Sequence, residues 1–274
     1  MSPEGSSGSN EPGEPGEQVE PPEPLGPDEP GGPAHGPQQT IRQPTWLLLS
    51  TLPAILLVAA FGLWLHLDVV GPTLVDRAWL DIVGLTPGTA PYHLAVILAV
   101  VGGGTGVVIC TGLLIAVFVL FRRFRTAGFL ASAMLIGIVL SELLKAVVTR
   151  IRPTDQLYDS LGWSYPSGHS MGAAALAVSL AIIVARSRML TLVSHDEPGD
   201  GALPRLRFHW SMLLALAWVL VMMWSRTALQ VHWLSDTIAG ALIGISAAVL
   251  ADELWTWMTT KSQNAKTRPS PRQR

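Results

Sequence analysis

The chain has 274 residues, of which 49% are hydrophobic and only 14% charged, and its mean hydropathy is +0.39. A soluble domain carries about 25% charged residues, so this apolar excess has to be solvated by lipid. The net charge of −2 hides a split: residues 1–40 hold eight Asp or Glu and no Lys or Arg, which leaves 18 basic against 12 acidic residues in the rest. Those basic residues fall in loops between apolar runs rather than on one soluble face, which argues against a nucleic-acid partner. The single cysteine, Cys110, rules out an intrachain disulfide.

Residues 1–40, with Pro, Gly and Glu repeated, contain 10 of the 21 prolines. Such a segment buries too little apolar surface to offset the entropy of ordering it, and is expected to be a disordered acidic tail. No basic stretch followed by an apolar one opens it, so a cleaved signal peptide is not expected. Six apolar runs follow, near 46–66, 93–121, 127–149, 168–186, 209–229 and 232–258. Most approach the roughly 20 residues that cross a hydrocarbon core. Lipid tolerates no unpaired backbone, so all six are expected to be helices. The fold class is therefore all-α: an integral membrane bundle of six transmembrane helices at 41–260, preceded by the tail at 1–40 and followed by a basic tail at 261–274.

Loop charges orient the bundle. Arg122, Arg123 and Arg125 separate the second and third runs, Arg186, Arg188, Arg205 and Arg207 the fourth and fifth, and Lys261, Lys266, Arg268, Arg272 and Arg274 follow the sixth. All three clusters share a side, which the positive-inside rule makes cytoplasmic, together with both termini. Residues 67–92, 150–167 and 226–232 then face outward.

Three stretches near that outer face concentrate the polar chemistry: Lys145-x6-Arg152-Pro153, Pro166-Ser167-Gly168-His169, and Ser225-Arg226-x5-His232-x3-Asp236. His232 and Asp236 stand one helical turn apart, so the carboxylate can accept from Nδ1 and leave Nε2 with its lone pair outward, a prepared nucleophile. His169 follows Gly168 at a helix start, where free N–H groups and the positive dipole end attract an anion. Lys145, Arg152 and Arg226 can surround the oxygens of a phosphate, and Ser167 can donate one more hydrogen bond. Arg150 is cationic and close, and is expected to stand behind these residues.

The three stretches match KxxxxxxRP, PSGH and SRxxxxxHxxxD at every fixed position, and the chain resembles the type 2 phosphatidic acid phosphatase (PAP2) family of membrane lipid phosphatases. The resemblance implies a covalent mechanism. His232 attacks phosphorus to form a phosphohistidine, Asp236 orients it, and His169 protonates the leaving oxygen and then activates water. Lys145, Arg152, Ser167, Gly168 and Arg226 bind the phosphate. It implies no cofactor and no metal, and no cluster of carboxylates, Cys or His at metal-ligand spacing is visible in the sequence. The implied substrates are polyprenyl diphosphate, phosphatidate or phosphatidylglycerol phosphate, met at the membrane. The alternative is a non-enzymatic transporter or lipid-binding protein that retains the pocket.

Other features have plainer readings. Gly102-Gly103-Gly104-Thr105-Gly106 lacks the preceding strand and following Lys of a phosphate loop, and is expected to be close packing inside an apolar helix through Gly102 and Gly106. Glu142 and Lys145, three apart, can form an ion pair. Trp46, Trp64, Trp210, Trp224, Trp233 and Trp255 lie near predicted boundaries, as in an interfacial aromatic belt.

Overall fold

The computed structural model describes residues 43–68, 71–193 and 208–267. The expected disordered tail lies outside them, as do residues 268–274. Among the described residues the regular elements are all helices: α1 (Thr45–Leu67), α2 (Leu74–Val83), α3 (Ala90–Val101), α4 (Gly104–Leu120), α5 (Phe124–Val148), α6 (Gly168–Val193), α7 (Trp210–Ala228) and α8 (Leu234–Thr267). α1, α5, α6, α7 and α8 are each long and apolar enough to cross a membrane, and α3 with α4 passes the same test as one span bent by 47°. The second apolar run is thus broken in its middle.

The burial pattern is that of a bundle whose solvent is hydrocarbon. On α1, Leu49, Leu52, Leu56 and Leu57 point outward, while Val58, Gly62 and Leu65 face the other helices. α8 supplies much of the centre with Ile243, Ala247, Ala248, Val249 and Ala251. Lipid gives no hydrophobic push between helices, so small residues must let backbones approach. Gly240 and Gly244 do this on α8: a Cβ at Gly240 would strike the Ser167 carbonyl, and one at Gly244 would lie 2.8 Å from Ala174 Cβ. Gly240 and Gly244 thus bring the α8 backbone against the start of α6. Of the expected pair, Gly102 does pack on another helix, since a Cβ there would strike Met222 and lie 2.8 Å from Trp218 of α7, whereas Gly106 meets only the Val100 and Val101 backbone at the α3–α4 break, where Gly102 caps α3 and Gly103 caps α4.

Helix ends sort to two sides of the bundle. At one end, His66 near the end of α1 meets the carbonyl of Val148 at the end of α5 (3.2 Å), and the starts of α6 and α8 adjoin through the Ser167 N–H to Asp236 carbonyl bond (2.9 Å). At the other, Arg186 of α6 grips Asp252 of α8 through Nη2 at 2.6 and 2.8 Å, and Gln43 donates to the same carboxylate at 2.7 Å. Arg125 reaches Thr256 and Thr259 there. Arg125 and Arg186, counted as loop cations from the sequence, are thus tied to α8 side chains. Arg122, Arg123, Arg188 and Lys261 remain exposed on that side.

α2 is short, amphipathic and absent from the apolar-run reading. A capping box starts it: Thr73 Oγ1 accepts from the Asp76 N–H, and the Asp76 carboxylate accepts from the Thr73 N–H at 3.1 Å. Leu74, Val75 and Ile82 are exposed, whereas Asp76 is buried. Two tryptophans also differ from the expected belt. Trp233 is buried and donates to the Ile151 carbonyl (2.8 Å), and Trp255 packs on Gly128 and donates to Ser132 (3.0 Å).

Candidate active site

The polar end of the bundle is built from four chain segments. α5 ends at Thr149 in the left-handed conformation, which turns the chain out of the helix and delivers Arg150 and Arg152 to the loop 149–167. That loop returns through Tyr165, whose hydroxyl donates to the Val58 carbonyl of α1 (2.7 Å), and through a cis Tyr165–Pro166 peptide. Ser167 precedes α6 and its Oγ accepts from the N–H and hydroxyl of Ser170, at 3.4 and 3.2 Å, as a helix N-cap. α7 ends just after Arg226, and His232 occupies the turn before α8.

His232 is buried, with its Nε2 3.1 Å from Arg152 Nη1. A guanidinium has no lone pair to offer, so Nε2 is the acceptor and the ring proton sits on Nδ1. Nδ1 lies 3.6 Å from Asp236 Oδ2, beyond direct hydrogen-bond range, and 3.5 Å from Ser164 Oγ, which itself donates to Asp236. Ser164 thus touches both partners. Burial pushes the His232 pKa down to about 4, with Arg152 and Arg226 acting in the same direction and Asp236 opposing. The imidazole is neutral at pH 7.

Asp236 is fully buried and held on several sides. It accepts from the Trp233 N–H (2.9 Å) and from Arg150 Nη1 (2.6 Å). Arg150, itself buried, spans to Asp76 with Nη2 at 2.7 Å, and Ser235 bonds both Arg150 and Asp76 through its hydroxyl. Burial raises the Asp76 pKa, but the Ser235 amide and Arg150 outweigh it and hold the carboxyl below its ordinary value. A continuous line of paired charges therefore runs from α2 to the histidine.

Three of the remaining predicted residues gather around one cavity of about 350 Å³. Arg152, Arg226 and His169 line it, with Tyr158, Ser160 and the turn Gly103-Gly104-Thr105. Gly103 lies against the His169 imidazole so closely that a Cβ there would overlap the ring. Arg226 is wholly buried: Nη2 donates to Ser160 (3.1 Å), the Tyr158 ring covers it at 5.7 Å, and Nε and Nη1 have no partner among the described residues. Lys145 stands beside Gly168, which would bring a Cβ within 3.3 Å of Nζ, and is paired with Glu142 at 2.7 Å. The structure thus brings His169, His232, Asp236, Lys145, Arg152, Ser167, Gly168 and Arg226 to one end of the bundle. Sequence reading missed Ser164, Asp76 and Ser235 beside His232 and Asp236, and Tyr158, Ser160 and the glycine turn along the cavity. Of these, the Thr73-x-x-Asp76 capping box carried a local signal.

The PAP2 superfamily profile matches residues 126–262, half of the chain and all three motif stretches. The chain belongs to that superfamily. It is 28% identical over 137 residues to an undecaprenyl-diphosphatase of Sulfolobus acidocaldarius, which covers 47% of this chain and 55% of that protein. The aligned part is therefore little more than half of that relative's length. It is 27% identical over 179 residues to phosphatidylglycerophosphatase B of Bacillus subtilis, covering 63% of this chain and 73% of that protein. The crystal structure of a transmembrane PAP2-type phosphatidylglycerolphosphate phosphatase from Bacillus subtilis superposes with a TM-score of 0.58 at 19% identity, over 84% of this chain and 100% of that one. The fold is the PAP2 membrane fold.

Proposed function

We propose that this membrane protein hydrolyses lipid phosphates or diphosphates through a phosphohistidine on His232. The observation that carries this reading is the neutral, buried His232 with Nε2 turned to Arg152, whose guanidinium also lines the cavity containing His169 and Arg226. A phosphate bound by Arg152 lies within reach of that nitrogen. The Nε2 lone pair forms the N–P bond, the bond from phosphorus to the lipid oxygen breaks, and its electron pair leaves on that oxygen. His169 supplies the proton to the leaving oxygen and then takes one from the water that cleaves the N–P bond, releasing orthophosphate and restoring His232.

Lys145, Arg152 and Arg226 supply positive charge to the equatorial oxygens, the largest contribution expected for phosphoryl transfer. Ser167 and Gly168 belong to the same cradle at the start of α6. Asp236, with Ser164, keeps the Nδ1 proton in place and favours the imidazolium character that develops as the bond forms.

The substrate class follows from setting. A site at the ends of membrane helices takes a phosphate head group from the interface while the tail stays in lipid. The similarity to a protein named undecaprenyl-diphosphatase and to one named phosphatidylglycerophosphatase B supports polyprenyl diphosphate, phosphatidate and phosphatidylglycerol phosphate as the panel. The exposed cations Arg122, Arg123, Arg188 and Lys261 at the far end of the bundle support an outward-facing site with both termini cytoplasmic. Phosphate release from that panel in detergent, with excess chelator present, tests the reading. Release from at least one lipid, undiminished by chelator, is expected; no release from any, or release that requires added Mg²⁺, overturns it.

A further inference from the structure

The glycine run at 102–106 has a use that neither the motifs nor close packing accounts for. It interrupts a membrane span in its middle and turns Gly103, Gly104 and Thr105 into the wall of the cavity that holds His169, Arg152 and Arg226. Gly104 has φ of +46°, which a residue with a side chain adopts only under strain. The first hydrogen bond of the break runs from the Gly106 N–H to the Gly103 carbonyl (2.9 Å). The N–H groups of Gly103, Gly104 and Thr105 have no acceptor among the described residues. α4, which begins at Gly104, is 17 residues long, so the positive end of its dipole meets the cavity.

A second, independent feature points to an anion in the same place. Arg226 comes from α7, is 0% exposed, and leaves Nε and Nη1 without partners among the described residues. A buried guanidinium with two open donors is costly unless an anion fills them. One carboxylate, Asp159, also lines the cavity, but it is exposed to water at the mouth.

In-line displacement tells which anion this is. The nucleophile and the leaving oxygen stand on opposite sides of phosphorus. His232 defines one side through Arg152. His169 defines the other, and Gly103 lies against its ring, nearest to Cδ2 and Nε2. Whatever binds along the glycine turn is therefore the leaving group. An uncharged glycerol or alcohol gains nothing from a helix N-terminus, whereas a phosphate that stays on the lipid does.

We propose that the α4 N-terminus, with Arg226 bridging, binds the departing phosphate of a lipid diphosphate, so that the site prefers diphosphates over monoesters. The reaction is then attack of His232 on the terminal phosphorus, cleavage of the bond to the bridging oxygen, and departure of the lipid monophosphate carrying that oxygen's electron pair. Water subsequently releases orthophosphate from His232. The proposal rests on the hydrolase reading above.

The test uses the full-length protein in detergent, with undecaprenyl diphosphate and phosphatidate as probes. Thr105 is the second residue of α4, in its first turn, where proline removes an N–H that has no helical acceptor and also restricts the backbone of Gly104. Thr105→Pro should lower the ratio of kcat/KM for the diphosphate to that for phosphatidate at least tenfold, and Thr105→Val, which keeps the N–H, should lower it less. An unchanged ratio in Thr105→Pro overturns the proposal. Competition on the unsubstituted protein decides the matter independently, including the case where Thr105→Pro does not fold. Inorganic diphosphate should inhibit at a concentration at least tenfold below that of orthophosphate, and equal inhibition overturns the second site. If the unsubstituted protein releases phosphate from neither of these lipids nor from phosphatidylglycerol phosphate, the hydrolase reading itself has failed.

Discussion

Arg150 Nη1 lies 2.6 Å from Asp236 Oδ1, and both side chains are fully buried. The same guanidinium holds Asp76 at 2.7 Å. One buried cation thus ties the carboxylate beside His232 to the short helix α2.

Removing it should therefore be felt first in stability. Breaking a buried pair by deleting one partner costs about 3–5 kcal/mol, and Arg150→Ala leaves two buried carboxylates behind. A large drop in melting temperature in detergent is expected. Arg150→Lys keeps the charge but cannot span both carboxylates, so it should fold, lose kcat with little change in KM, and shift the pH profile. Wild-type kinetics and pH profile in Arg150→Lys would show that Arg150 is structural alone.

Gly103→Ala separates geometry from chemistry in the opposite way. A methyl at this position overlaps the His169 ring, so the imidazole has to swing away while the rest of the bundle is untouched. Turnover should fall by about 100-fold, the lower range for losing a positioned acid–base group, at near wild-type melting temperature. Full activity in Gly103→Ala would mean that the ring position is not needed.

The pH dependence follows from His232, whose pKa is about 4 in the folded protein against an ordinary 6.5. The unfolded chain binds the extra proton between these values, so stability rises with pH across that window and is lost as pH falls from about 6.5 towards 4. The shift corresponds to up to about 3 kcal/mol. Melting temperature should decline over this interval, and the decline should be smaller in His232→Gln. An equal decline in both would assign it to other groups.

Much of this site was legible because polar residues in an apolar chain are conspicuous. Lys145, Arg152, His169, Arg226, His232 and Asp236 stand out against the runs around them, and their order matched a known pattern. Asp76 did not stand out. It sits on a ten-residue helix too short to span, and its partner Arg150 is 74 positions away, a pairing that no local periodicity encodes. Ser164 carries no pattern at all; only the fold brings it between His232 and Asp236. The α3–α4 break was hidden for another reason. Composition stays apolar through 93–121, and a bend does not change which residues lipid will accept. Gly240 and Gly244 have the same spacing as Gly102 and Gly106, but spacing alone does not say that both of the former, and only Gly102 of the latter, meet another helix.

Orientation can be read with thiols. In a Cys110→Ser background, Asp81→Cys on α2 and Asp155→Cys in the loop before α6, both exposed, should react with an impermeant reagent outside intact cells, and Lys261→Cys should not. Labelling confined to Lys261→Cys would invert the topology and put the site on the cytoplasmic face.

The roles of the two histidines are tested most directly by rapid-quench measurement with an aryl phosphate, whose phenol departs without a proton. His169→Ala should give a burst of phenol and accumulate an acid-labile phosphate on the protein, because attack still occurs while water is no longer activated. His232→Ala should give neither. A burst in His232→Ala, or protein-bound phosphate recovered on any other residue, would contradict the assignment of His232 as the nucleophile.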